Sequence, residues 1–434
     1  MCIANASRCA MGAVLVIGLI AFIYREVPPR TPHKVERFTT LWPQLESAFY
    51  KATDRVVSLP QPWFPIEPTP VSVVDSAVDT PPPRPGRARW EHGRAMGLII
   101  HHLTCPDPSQ MCLGGVESTL ATRFIMTDQG PIPDEVQGGR FGTLEDLATG
   151  IVNAVHKAQS RGQRRIIINL SLGWEPHLGG YYTEQGWTAL PAPIQAVRRA
   201  IGYATCQGAV VIAAAGNRSD TTSGAIFPAA WEAKPLPDVA ECQSYGLPTG
   251  PPPSQSAYRP LVYAAAGLDR RDQTLANARL GGLPALMAPA SHVMVTDNHS
   301  HTGVYTGSSV AAAVLSAAAS LAWSYQPHLS GPDMMQLVYD ASVDLGVRAE
   351  LCFEGALCRH RRRVSLCSVV QAACARQGRR CDLACRVRPL YQAVSSLTIE
   401  PPHVKPKTEP LPSAPRFPQS FLGSLWSAHP VRPL

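Results

Sequence analysis

The sequence carries no internal repeat, no C-x₂-C pair and almost no net charge outside one short stretch. Without a repeat it is neither a solenoid nor a propeller. The six cysteines of residues 352–388 lack the spacing of common zinc modules, so disulfides are the favoured reading for them. The formal charge of +7 is confined: nine arginines in residues 352–388, set against Glu354 and Asp382, account for all of it. The near-neutral remainder is not that of a uniformly basic nucleic-acid binder, and no specific nucleic-acid partner is expected. A recognisable folding pro-domain is also missing, because residues 27–70 are short and Pro-rich.

What is present supports a sizeable core. The chain has 434 residues, 45% of them apolar, enough for one large domain or two to three ordinary ones. Its 42 prolines cluster in residues 27–86, 235–260 and 401–433, which are poor candidates for regular structure. Residues 10–24 form an apolar run without a charge, of signal-sequence rather than full membrane-spanning length. It reads either as a cleaved signal or as an uncleaved anchor. Both place the rest outside the cytoplasm, secreted or membrane-anchored, where disulfides persist.

The expected organisation is a signal or anchor over 1–26, a Pro-rich tether over 27–70 and a main domain over 71–343. A Cys/Arg-rich module over 344–395 and a Pro-rich tail over 396–434 follow. The main domain alternates continuous apolar strands (71–74, 120–126, 166–170, 209–215, 261–265, 286–288) with helical patterns. Helices are expected from His92, from Thr143 with an Asp146 capping box, and over 194–205, 309–323 and 332–339. This pattern predicts a three-layer α/β/α fold with a mostly parallel central sheet. In the Cys/Arg-rich module, the seven-residue spacing of Cys367, Cys374 and Cys381 predicts one helical face, in a stapled hairpin. Its arginines suit an anionic surface or polymer, or simply a solvated face. Cys105 with Cys112, and Cys206 with Cys242, are candidate pairs; connectivity stays open.

Four positions stand where chemistry is possible, and each alone has a bland reading. Asp75 ends a strand, where ligands gather in parallel sheets, or it makes an Asx-turn. His92 opens a helix as a general base or as a structural histidine. Ser309 lies at the start of an Ala-rich helix, beside unpaired N–H groups, as a nucleophile or as an N-cap. Asn217 follows a buried strand as an oxyanion donor or as a turn residue. Asp297, His299 and His301 share a loop, but without a third clear ligand no metal is expected there. No cofactor is expected.

Together and in this order, the motifs resemble those of the subtilisin-like serine proteases. The matching segments are VSVVDSAVD (Asp75), EHGRAMGLI (His92), IINLSLG (167–173), VVIAAAGN (Asn217), Ala288-Pro289-Ala290 and TGSSVAAAVLSAAASL (Ser309). The resemblance covers residues 71–343. It implies a nucleophile at Ser309, a general base at His92, and Asp75 setting the imidazole tautomer. It further implies Asn217 as oxyanion donor, a group whose loss costs subtilisin itself roughly 10²–10³ in kcat. Ser171, Leu172 and Gly173 would pair with an extended polypeptide substrate as an added strand. The departures are Ala77, Arg94-Ala95 and Ala313, with only 17 positions between Asp75 and His92. The expected function is an exported or membrane-anchored serine endopeptidase; the alternative is a catalytically impaired homologue that binds peptides.

Overall fold

The structure is a computed structural model that describes residues 67–76, 92–105, 116–120, 126–127, 130–131, 141–217, 225–279, 284–296, 302–348 and 360–376. The apolar run 10–24, the tether up to residue 66, Cys112, the Asp297–His301 loop and the tail fall outside them.

In chain order the strands and helices begin with β1 (Val71–Asp75), α1 (His92–Thr104), β2 (Val116–Leu120), β3 (Met126–Thr127) and β4 (Gly130–Pro131). Next come α2 (Leu144–Ser160), β5 (Ile167–Leu170), α3 (Ala192–Cys206), β6 (Val210–Ala214), α4 (Val239–Ser244) and β7 (Tyr263–Leu268). The chain continues with β8 (Leu286–Pro289), β9 (Val293–Thr296), β10 (Thr302–Tyr305), α5 (Ser308–Tyr325) and α6 (Gly331–Ala341). Last are β11 (Val343–Arg348), β12 (His360–Arg363) and α7 (Leu366–Ala375).

The central sheet runs β2-β1-β5-β6-β7-β8-β12-β11, and every pairing is parallel except that of β11 with β12. Strand alternation divides the core. Val71, Val73, Val210, Ile212 and Ala214 join the cluster under α1, α5, α6 and α7. Val74, Ile168, Leu170, Val211 and Ala213 join the cluster under α2 and α3. Successive side chains point to opposite faces, so a continuous apolar run is what a strand covered on both sides requires. The expected three-layer α/β/α fold with a mostly parallel sheet is therefore what the chain forms.

All residues of α5 are buried. Among the described residues it is the one helix long and apolar enough to cross a membrane, yet its apolar circumference is covered by sheet and helices. Its alanines let it lie close on β5 to β8. A stripe of serines one turn apart sets its rotation. Ser316 Oγ accepts from Asn169 Nδ2 at 3.0 Å, Ser320 Oγ donates to Thr69 O at 2.7 Å, and Ser324 Oγ accepts from Thr69 N at 3.0 Å.

Thr143 caps α2 as expected, accepting from Asp146 N at 3.1 Å. The anticipated Cys206–Cys242 disulfide is formed, with a Cα–Cα distance of 5.7 Å. Two expectations are corrected, and one element was unforeseen. The strand expected over 120–126 is instead Val116–Leu120, with Met126–Thr127 in a separate small ladder. The β9–β10 hairpin was not anticipated. Finally, the described part of 344–395 is not a separate module. Strand β12 pairs with β8 in the main sheet, and Val364, Leu366, Val369, Val370 and Ala373 complete the core beside α5 and α6. Cys367 and Cys374, on α7, are both disulfide-bonded. Seven residues of helix separate them by about 10 Å, too far for a bond between the two.

At the start of α6, Asp333 accepts four hydrogen bonds: from Ser330 Oγ at 2.6 Å, Ser254 Oγ at 2.7 Å, and the Gln255 and Ser256 N–H groups at 3.0 Å each. Burial alone would raise its pKa, but these donors outweigh burial and hold the carboxyl below its usual range. A depressed pKa adds stability above the unfolded value, about 3.9, and loses it as pH falls through the folded value. The carboxylate is partly open to solvent, which screens these contacts, so Asp333→Asn is expected to cost no more than about 1 kcal/mol at pH 7. Thermal melts of both proteins should differ by a degree or two at pH 7, begin to converge below about pH 4 and meet once the pH has fallen through the lowered folded value.

Candidate active site

The strand order reverses at β1: the chain leaves it for β2 on one side and returns to β5 on the other. In open α/β sheets, ligands bind at the carboxyl ends of strands beside such a reversal. The residues singled out in the sequence collect there. Asp75 closes β1, Ser171–Gly173 leave β5, and Asn217 lies just past β6. Helix α1, beginning at His92, packs against α5, whose second residue is Ser309.

Asp75 and His92 are in direct contact. His92 Nδ1 lies 2.9 Å from Asp75 Oδ2 and 3.1 Å from Oδ1. Asp75 is 3% exposed, and its Oδ1 also accepts from Ser76 N at 2.6 Å and Ser76 Oγ at 3.1 Å. Gly93 N donates to Ser76 O at 3.2 Å, so backbone as well as side chains join the two ends of the short connection. Of the departures in this motif, Ala95 is fully buried in the core and Arg94 half-buried; Ala77 lies outside the described residues.

The second group of contacts surrounds the start of α5. Gly307 precedes it with φ +146°, and its N–H donates to Ala290 O at 3.1 Å. The Ala288-Pro289-Ala290 motif thus anchors the turn that presents Ser309. A Cβ on Gly307 would fall 2.6 Å from Asn217 Oδ1, so both its conformation and this approach require glycine.

Asn217 Oδ1 accepts from Ser308 N at 3.0 Å, with Ser308 Oγ at 3.3 Å. A backbone N–H needs an acceptor, which assigns the amide orientation: oxygen toward Ser308, with Nδ2 as the donor end. Ser308 Oγ accepts from Gly216 N at 3.0 Å. A hydroxyl side chain is what this position requires. Ser309 Oγ donates to Ser171 O at 3.2 Å, and Ser171 Oγ donates to Ser309 O at 3.1 Å. The remaining departure, Ala313, sits inside α5 and is fully buried.

Leu172 is half-buried and Gly173 exposed, leaving an extended edge after β5. Behind it, Trp174 exchanges two backbone hydrogen bonds with Phe227, at 2.7 and 3.1 Å. Arg279 is almost fully buried and clasps Glu175 with two hydrogen bonds, 2.9 and 2.6 Å. Ala278 bridges Asn217, so this ion pair ties the Asn217 segment to the end of the exposed edge. Sequence reading missed Ser308 as holder of the Asn217 amide, and the Arg279–Glu175 clasp. The only signal available to it was a hydroxyl beside Ser309.

The match to the subtilase family model covers residues 132–356, and the chain belongs to that family. Among solved structures, it is similar to the Prenylagaramide maturation protease PagA at 17% identity, covering 76% of this chain and 98% of that one, with a TM-score of 0.42. Sphericase shares 14% identity over 74% of this chain and 98% of its own, with a TM-score of 0.45. The A-subunit of the AB5 toxin from E. coli shares 15% over 75% and 99%, with a TM-score of 0.45. No curated protein matches.

Proposed function

We propose that the chain is an exported serine endopeptidase acting through Asp75, His92 and Ser309, with Asn217 as oxyanion donor. The observation that carries this reading is the buried Asp75 carboxylate on His92 Nδ1. A carboxylate there favours the proton on Nδ1 and leaves Nε2 as the base. Nε2 takes the Ser309 proton as Oγ bonds to the scissile carbonyl carbon. The carbonyl oxygen gains charge, met by Asn217 Nδ2 and the Ser309 N–H at the helix start. The C–N bond then breaks, His92 protonates the leaving amine, and water hydrolyses the acyl-enzyme by the same steps. The substrate is a polypeptide held in extended form along Ser171, Leu172 and Gly173.

Export is supported by the Cys206–Cys242 disulfide and by the apolar run 10–24, which would serve as signal or membrane anchor. An anionic surface or polymer remains a proposal for residues 352–388, but Arg362 and Arg363 are otherwise engaged. Arg362 donates to the Tyr339, Asp340 and Ser342 carbonyls at 3.0–3.4 Å, and Arg363 pairs with Asp272 at 3.1 Å.

Labelling with a fluorophosphonate probe tests the enzyme reading. Wild type should label and Ser309→Ala should not. A folded wild type that stays unlabelled rejects catalysis and leaves the peptide-binding homologue.

A further inference from the structure

Beyond Leu170 and Ala213, which are paired, the ends of β5 and β6 separate. One continues as Ser171–Gly173, the other as Ala215–Asn217. In the reading above, an extended substrate runs along the first and places its carbonyl oxygen at the end of the second. The side chain on the acyl side of the scissile bond then has one place to go, the gap between the two segments. Glycines line both walls, Gly173 on one and Gly216 on the other.

Glycine walls usually leave room, but here the room is filled. Ile226 stands between them. A Cβ on Gly173 would lie 3.1 Å from both Ile226 Cδ1 and Cγ1, and one on Gly216 would lie 2.8 Å from Ile226 Cγ2. The Arg279 stem closes the same wall, with Cδ 3.2 Å from a Cβ on Gly216, and its charge is spent on Glu175. Ile226 is 4% exposed, and its neighbour Phe227 is locked by the backbone bridge to Trp174 and by ring contacts with Trp174, Tyr181 and Trp231 at 5.0–6.0 Å. A β-branched side chain on so fixed a backbone has little rotamer freedom to swing aside.

We infer that Ile226 is the floor of the specificity slot and restricts the enzyme to peptides with a small side chain, Gly, Ala or Ser, on the acyl side of the cleaved bond. An aromatic or long aliphatic residue there would displace Ile226 from between the two segments or lift its carbonyl from Asn217. This rests on the endopeptidase reading for its kinetics, whereas a binding measurement tests it independently.

The experiment uses the full chain and a tetrapeptide amide series differing only at the acyl-side position. In wild type, kcat/KM for Ala should exceed that for Phe by at least about 100-fold. Ile226→Ala should raise the value for Phe by about 10–100-fold and so narrow the Ala-to-Phe ratio. Ile226→Val, which removes one methyl, should move the ratio the same way by less, and serves if Ile226→Ala does not fold. In a parallel arm, calorimetry on Ser309→Ala measures binding of the matching N-acyl tetrapeptide acids. Preference for Ala over Phe there sustains the inference even if wild type cleaves nothing, an outcome that would count against catalysis alone. Equal or tighter binding of Phe, or cleavage after Phe at a rate comparable to Ala in wild type, overturns it.

Discussion

Ser309→Ala and His92→Ala are each expected to lower kcat by about 10⁶-fold, and the double variant should be no worse than either. The magnitude is that of subtilisin, where nucleophile and base act as one unit. Without His92 the Ser309 hydroxyl keeps its proton, and without Ser309 the base has nothing to deprotonate. What remains in both cases is oxyanion stabilisation and substrate positioning by Asn217 and the Ser171–Gly173 edge. KM should change little, because neither side chain holds the substrate in its ground state. Single-turnover rates of the three variants on one peptide substrate decide the matter. Multiplying effects, with the double variant slower by the product of the singles, would show that the two residues do not act as a pair.

Asp75→Asn should lower kcat by about 10⁴-fold near neutral pH without unfolding the site. The carboxylate accepts at both oxygens, from His92 Nδ1 and from Ser76. An asparagine keeps the shape but carries two donors. With its oxygen held by the Ser76 donors, its NH2 faces Nδ1 as a donor, so Nδ1 must accept and the ring proton moves to Nε2, where it blocks removal of the Ser309 proton. Stabilisation of the imidazolium is lost as well. The pH–rate profile on a peptide substrate, with thermal melts as a control for folding, measures both consequences. Activity within ten-fold of wild type at pH 7–8 would reject this role for Asp75.

How much of this was readable beforehand follows from the range of the interactions. Asp75, His92, Asn217 and Ser309 each sit at a strand end or helix start that local pattern already marks, because burial on both faces forces continuous apolar strands. The strand β12 was not readable, since HRRR looks like a solvated basic run. Its place in the sheet depends on Asp272, Asp344 and the carbonyls ending α6, which only the folded chain brings near. The first edge strand was misplaced for the converse reason. Val116–Leu120 is half polar, and its register is set by pairing with β1 rather than by its own apolar count. Ile226 and the orientation of the Asn217 amide depend on packing between distant segments, and local sequence carries no trace of either.

The placement of α7 has a consequence for the order in which this protein becomes itself. The helix bearing Ser309 is buried on every side, and one of those sides is built from residues 364–373. During synthesis Ser309 emerges well before the segment that covers its helix. Until that segment arrives, an apolar flank of α5 and α6 faces water, where burying it is worth about 25 cal/mol per Å². A chain cut after residue 343, at the border suggested by composition, would keep Asp75, His92, Asn217 and Ser309 and still lack one wall of its core. Completion of α7 thus acts as a clock: the helix bearing Ser309 reaches its final surroundings only when the chain has been delivered through residue 373.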